Sequence, residues 1–294
     1  MDEEARENYV KAGKAIQKAR KKAREITEAG RPLIEIADEL ESLIREEGCH
    51  PAFPVNLSID DEAAHYTPEP GDDRKLRADD VVKVDIGAHS NGYIADTALT
   101  VNPSGEHQGI IDDVEKVLEA ALEYLEPGIT VSEFGAYVEQ QIPDEYEPVR
   151  NLTGHYLGRY TQHAGVSIPN VDNGSDHVFE AGDAVAIEPF ITTGSGKIRG
   201  GKPGNIYKLE HDTSVRGRVQ RKLLGEIKNY RGLPFTTRWF NDYGARQRMA
   251  MKKLVDANVV HSYDILKEVE GGIVAQAEHT VIIGEDENTV TTRR

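Results

Sequence analysis

Val81-Val82-Lys83-Val84-Asp85-Ile86-Gly87 and, beyond Ser90-Asn91, Gly92-Tyr93-Ile94-Ala95-Asp96-Thr97-Ala98-Leu99-Thr100-Val101 decide how this chain folds. Both runs are rich in β-branched residues, and turn formers separate them. The pattern predicts a tight antiparallel hairpin. If its turn centres between Ser90 and Asn91, Asp85 lies directly opposite Asp96, with Cβ atoms about 5 Å apart. Two carboxylates that close repel unless a proton or a cation sits between them. A divalent cation answers the problem, because its oxygen ligands are anionic or dipolar. The residues leave a second reading open, in which one Asp caps a turn and the other faces solvent.

Two further acids interrupt apolar strand sequence. Glu188 sits in Ala184-Val185-Ala186-Ile187-Glu188-Pro189-Phe190, and Glu278 precedes His279-Thr280-Val281-Ile282-Ile283. A carboxylate buried without a partner costs several kcal/mol or takes up a proton. Acids placed this way call for one common explanation. His155 and His163 add imidazoles eight residues apart within 154–165, outside any His-Glu-x-x-His pattern. One can ligate a metal while another donates a proton. His65, in Ala63-Ala64-His65-Tyr66-Thr67-Pro68, is a candidate farther out.

Around this segment, residues 2–28 and 33–47 read as amphipathic helices broken at Gly30, with Pro32 suiting the first turn of the second. Residues 49–80 read as a strand with long loops. Ile110, Ile111, Val114, Val117, Leu118, Ala121, Leu122 and Leu125 mark a strong amphipathic helix over 109–125, and a shorter one follows from Ser132. Residues 150–177 read as irregular, and the glycines of 194–204 as a loose connection. Helical periodicity returns over 215–260, and strand character over 273–283.

Composition narrows the function classes. The chain has 294 residues and a formal net charge of −16, which argues against affinity gained by neutralising phosphates. The same acidity suits either a chain working in high salt or an ordinary acidic cytosolic protein. One cysteine, Cys49, excludes an internal disulfide framework and thiolate clusters. No apolar run reaches the length of a membrane span, and the N-terminus shows no basic stretch leading into an apolar one. A cytoplasmic location, no membrane, no nucleic acid and a monomeric state are the expectations. The glycines near 194–204 lack the spacing of nucleotide-binding loops.

With these motifs assembled, the chain resembles the type 2 methionine aminopeptidases of the M24 metallopeptidases, in a compact archaeal form. The resemblance rests on Pro51-Ala52-Phe53-Pro54, Ala63-Ala64-His65-Tyr66-Thr67-Pro68, Val84-Asp85-Ile86-Gly87, Ile94-Ala95-Asp96, Gly154-His155, His163-Ala164-Gly165, Ala186-Ile187-Glu188-Pro189-Phe190 and Ala277-Glu278-His279-Thr280, in the family's order. It implies an α/β fold of the creatinase/aminopeptidase "pita-bread" type, with pseudo-two-fold related halves. It also implies a single catalytic domain over 1–294 with a helical type 2 insert over 208–265.

The resemblance further implies two divalent ions (Co, Mn, Fe or Zn) held by Asp85, Asp96, His155, Glu188 and Glu278, with Asp96 and Glu278 bridging. Glu188 is then the proton acceptor, His163 faces the scissile carbonyl, and His65 lies near the scissile nitrogen. Phe53 and Tyr263 line the methionine pocket. Gln162 departs from the pattern, because an apolar residue is usual just before the histidine. The implied substrates are peptides and nascent-chain N-termini beginning with methionine and followed by a small residue. Transient proximity to the ribosome goes with that role. The rival readings are an Xaa-Pro dipeptidase of the same fold and a non-catalytic binding protein built on it.

Overall fold

The computed structural model describes residues 1–293. Helix α1 (Glu3–Ile26) starts where the Asp2 side chain accepts the Ala5 N–H, with Glu3 and Glu4 in its first turn. Its buried face is largely alanine, at positions 5, 12, 15, 19 and 23, so the helix lies close on the sheet beneath it. Helix α2 (Leu33–Glu46) begins directly after Pro32, which occupies the position before the helix rather than its first turn.

These two helices back a four-stranded antiparallel sheet. Val82–Ser90 is its central strand and pairs with Tyr93–Val101 on one side, and with His50–Pro51 and Asn56–Ile59 on the other. Helix α3 (Gln108–Tyr124) and helix α4 (Val131–Gln141) back the other half. Thr130 and Glu133 close a reciprocal capping box at the start of α4. That half contains the five-stranded order Thr289–Val290, His279–Ile282, Ala184–Ile187, Thr153–Gly158, Thr161–Pro169, with a smaller sheet through Phe190–Thr192. Each half thus has a sheet, a helix pair and its own apolar core.

A threonine seam joins the halves along Tyr93–Val101. The Thr280 hydroxyl accepts the Asp96 N–H at 2.7 Å and donates to the Asp96 carbonyl at 2.8 Å. The Thr97 hydroxyl donates to the Glu278 carbonyl at 2.6 Å. The Thr100 hydroxyl accepts the Gln276 N–H at 2.9 Å and donates to the Gln276 carbonyl at 2.7 Å. These bonds satisfy backbone groups that would otherwise be buried unpaired where the two sheets meet.

The strands depart from the sequence reading in three places. The hairpin pairs Ser90 with Tyr93, Gly87 with Asp96 and Asp85 with Ala98. Its turn is therefore centred between Asn91 and Gly92, whose φ values are +51° and +91°. Positive φ at both central residues defines the primed turn that Asn-Gly favours, so the register moves by one residue on each strand. Residues 150–177 are not irregular: Thr153–Gly158 and Thr161–Pro169 form a hairpin, with register shifts at His155/Tyr156 and Tyr156/Gly158. The glycines of 194–204 run into a long strand, Ile198–Leu209, which pairs with Val260–Glu268 across further shifts near Pro203. Bulges break the period-2 alternation on which strand reading depends.

Between those two strands the chain makes helix α5 (Arg218–Ile227) and helix α6 (Ala245–Asp256). Leu223, Leu224, Ile227, Phe235, Phe240, Met251 and Leu254 give this lobe its own core. It is tied to α2 by Arg238, which donates to both oxygens of buried Glu41, and by the Trp239 indole N–H, which also donates to Glu41. Among the described residues no helix is long and apolar enough to cross a membrane.

Candidate metal centre

The hairpin fixes the first two acids. Asp85 and Asp96 are diagonal rather than direct neighbours, on one face of the sheet, because Asp85 pairs with Ala98 two residues beyond Asp96. Asp96 faces Gly87, and a Cβ at Gly87 would stand 2.1 Å from the Phe53 ring. Glycine is therefore required there for the aromatic wall and the acid to share one face.

The seam brings the other half into register with these acids. The Glu278 N–H donates to the Ala98 carbonyl at 3.1 Å, which sets the Glu278 side chain beside Asp96. Strand Thr153–Gly158 pairs His155 with Ala186, two residues before Glu188. His155 Nε2 is 3.5 Å from Glu188 Oε1 and 3.8 Å from Asp96 Oδ2. Asp96, His155 and Glu278 each present a ligand atom within 4.8 Å of the others.

Ten residues singled out in the sequence line one cavity of about 370 Å³: Phe53, His65, Asp85, Asp96, His155, Gln162, His163, Glu188, Tyr263 and Glu278. The His163 ring stands edge-on to His155, 4.5 Å between centroids, and the Tyr263 ring edge-on to His65, 5.2 Å away. His65 has φ +69° and its Nδ1 lies 3.3 Å from the Asp264 carbonyl. A non-glycine residue held in the left-handed region is a strained position, of the kind that clusters at working sites.

Sequence reading missed several residues in or behind the cavity. The Gln276 amide donates to Glu188 Oε2 at 3.2 Å. Asn56 pairs with Asp85 across the sheet and lines the cavity. Arg20, buried on α1, donates to the Thr97 hydroxyl and the Ala98 carbonyl, and its charge reaches Glu278. Gln276 was detectable in the sequence as an amide two residues before Glu278. Arg20 carried no signal, since it is one base among many on a charged helix.

The electrostatics set this cavity apart. Burial first, then the neighbouring Asp96, hold the Asp85 carboxyl well above its usual range. Burial raises Asp96 to about 7, against a smaller opposing effect of the Gln162 hydrogen bond. Glu188 and Glu278 are pushed well up by burial, then by the other acids. Burial lowers His155 to about 3 and His65 to about 4, so both imidazoles are neutral near pH 7. Asp85 Oδ1 and Asp96 Oδ1 are buried with no hydrogen-bond partner.

Acids crowded together, orphaned oxygens and a neutral imidazole fit a divalent cation. An ion supplies the positive charge that the surrounding side chains do not, and the oxygen-plus-imidazole donor set suits Mn, Fe, Co or Zn rather than a thiophilic ion.

Comparison with known proteins places the chain among relatives of one kind. The model of Metallopeptidase family M24 matches residues 7–285. A methionine aminopeptidase of Methanocaldococcus jannaschii is 42% identical over 295 residues, covering 100% of this chain and 100% of the relative. The solved structure of a thermophilic Arx1 superposes with a TM-score of 0.85 at 16% identity, covering 100% of this chain and 92% of that one. A methionine aminopeptidase structure from Thermotoga maritima gives a TM-score of 0.72 at 20% identity, over 100% and 98% of the two chains. At those identities the two structures establish the shared pita-bread fold.

Proposed function

The chain belongs to metallopeptidase family M24, and on that premise we propose that it removes the N-terminal methionine from peptides and nascent chains whose second residue is small. The observation that carries the reading is the cluster of Asp85, Asp96, His155, Glu188 and Glu278 around one cavity, with two carboxylate oxygens left without partners. Full-length similarity to an archaeal methionine aminopeptidase supports the substrate class.

Those five side chains would hold two divalent cations. The chemistry such ions supply when bound is Lewis acidity toward the scissile carbonyl and a lowered pKa for water. Glu188 is the proton carrier. Its Oε2 is fixed by Gln276, and its proton affinity is raised by burial and by Asp96 and Asp85. It takes a proton from the attacking water and returns it toward the leaving amine.

His163, beside His155 and kept neutral by burial, has an imidazole N–H to donate to the carbonyl oxygen as charge develops there. His65, set by the Asp264 carbonyl and the edge of Tyr263, orients the amide of the second residue. Phe53, Tyr263 and Gln162 surround the methionine side chain, with Ile206 and Pro234 completing the wall. The segment 208–265 thus acts as a pocket wall, its strand contributing Tyr263 and the stretch between α5 and α6 contributing Pro234.

Release of methionine from Met-Ala-Ser, before and after chelation, tests the proposal. EDTA abolishes release, and Mn²⁺ or Co²⁺ restores it. Cleavage of an Ala-Pro dipeptide in place of Met-Ala-Ser would replace this reading with an Xaa-Pro dipeptidase. An inert Met-Ala-Ser peptide with every metal tried would sink the enzymatic assignment.

A further inference from the structure

Gln162 is an amide where the walls of a side-chain pocket favour apolar groups, and its position explains the choice. It lies half-buried on strand Thr161–Pro169, next to His163. Its Nε2 donates to Asp96 Oδ2 at 3.3 Å, the side-chain hydrogen bond that this carboxylate receives, while Asp96 Oδ1 is left without a partner.

The chemistry of the group matters. Asp96 shares its cavity with Asp85, Glu188 and Glu278, and among the described residues no lysine or arginine lines that cavity to hold its carboxylate. A lysine or arginine at position 162 would hold it, but would also cancel the negative charge that attracts a cation. A neutral amide pins one oxygen and leaves the charge in place. Hydrogen bonds of this kind from outside a metal's own ligands fix ligand orientation, and their loss costs about 10–100-fold in affinity.

We propose that Gln162 is a positioning residue, whose side-chain amide holds Asp96 in the orientation that binds a divalent cation. The proposal rests on the metal reading above. Metal-stripped protein is titrated with Mn²⁺ by calorimetry. Gln162→Met keeps the length and removes the N–H, and Gln162→Asn keeps the amide but shortens its reach.

Both variants are expected to bind Mn²⁺ at least about tenfold more weakly than the parent. Affinity within twofold of the parent in either folded variant overturns the proposal. So does a change confined to KM for Met-Ala-Ser with metal affinity intact, which would make Gln162 a pocket residue only. Asp96→Asn is titrated alongside. If it binds Mn²⁺ as the parent does, the metal reading itself fails, whatever Gln162 does.

Discussion

Two buried acidic sites in this molecule are treated in opposite ways. Glu41, 1% exposed on α2, accepts the Val55 N–H, the Trp239 indole N–H and both terminal nitrogens of Arg238. Arg238 in turn reaches Asp38, the Thr67 hydroxyl and the Pro68 carbonyl. Asp96, equally buried, receives one side-chain hydrogen bond, from an uncharged amide, and shares its cavity with Asp85, Glu188 and Glu278. The first site is a completed ion pair that joins the helical lobe to α2. The second is left short of positive charge. Burial of a carboxylate therefore says little about function. A missing counter-charge is what marks a place where a ligand belongs.

The sharpest way to break this comparison is to remove one acid from each site. Glu278→Ala should lower kcat/KM for Met-Ala-Ser by about three orders of magnitude or more, because the rate depends on an intact cation site. Full, chelator-insensitive activity in that variant would show that the cluster has no catalytic part. Glu41→Ala should leave a metal-dependent enzyme that unfolds more easily, by about 3 kcal/mol, since Arg238 stays buried with only the exposed Asp38 left to pair it. Urea melts of both variants separate the cases. A Glu41→Ala protein as stable as the parent would mean the Arg238 clamp holds nothing.

The smallest effect is the pH dependence of stability without metal. In the folded, metal-free protein the cluster's carboxyls bind protons more tightly than in the unfolded chain, with Asp96 at about 7. A group whose folded pKa is raised contributes its stability fully at acid pH, and loses it as pH climbs through the folded value. Below about pH 6.5 the depressed His155 and His65 act in the opposite sense, so metal-free Tm should fall from about pH 6.5 to pH 8, with one raised carboxyl contributing about 1.4 kcal/mol per pH unit. The acids share their protons, so the fall belongs to the cluster rather than to one residue.

Saturating Mn²⁺ should remove most of this slope. Asp96→Asn should flatten it in the metal-free protein, while Glu41→Gln should not. The general repulsion of a chain at −16 acts in all of these variants and cancels from the comparison. A metal-free Tm profile identical in the parent and in Asp96→Asn would remove the electrostatic distinction between the two sites.

Much of this was legible before any coordinates. Asp85, Asp96, Glu188 and Glu278 stood out because an acid between Val, Ile and Ala residues is costly to bury, although a turn cap and a solvent-facing acid stayed open for Asp85 and Asp96. The helices over 3–46 and 108–141 followed from 3.6-residue spacing. Gln162 was visible as an oddity, but not as the donor to Asp96.

The register of the hairpin was not read correctly, although Asn91-Gly92 carried the information, since the primed turn takes that pair at its centre. The hairpin of His155 and His163 was missed because its bulges and glycines erase the alternation, and pairing with Ala184–Ile187 stabilises it from outside. Glu41 with Arg238, and Arg20 with Thr97, join residues far apart in the chain and leave no local trace.

By itself the sequence determined which side chains are chemically out of place, and which stretches are helical or extended. Both are properties of short windows of residues, set by spacing and by the cost of burying charge. Only the tertiary structure decided which of the buried acids are answered by a protein cation and which are left open. That outcome depends on what packs opposite each one across the threonine seam or the lobe boundary, and no local pattern records it.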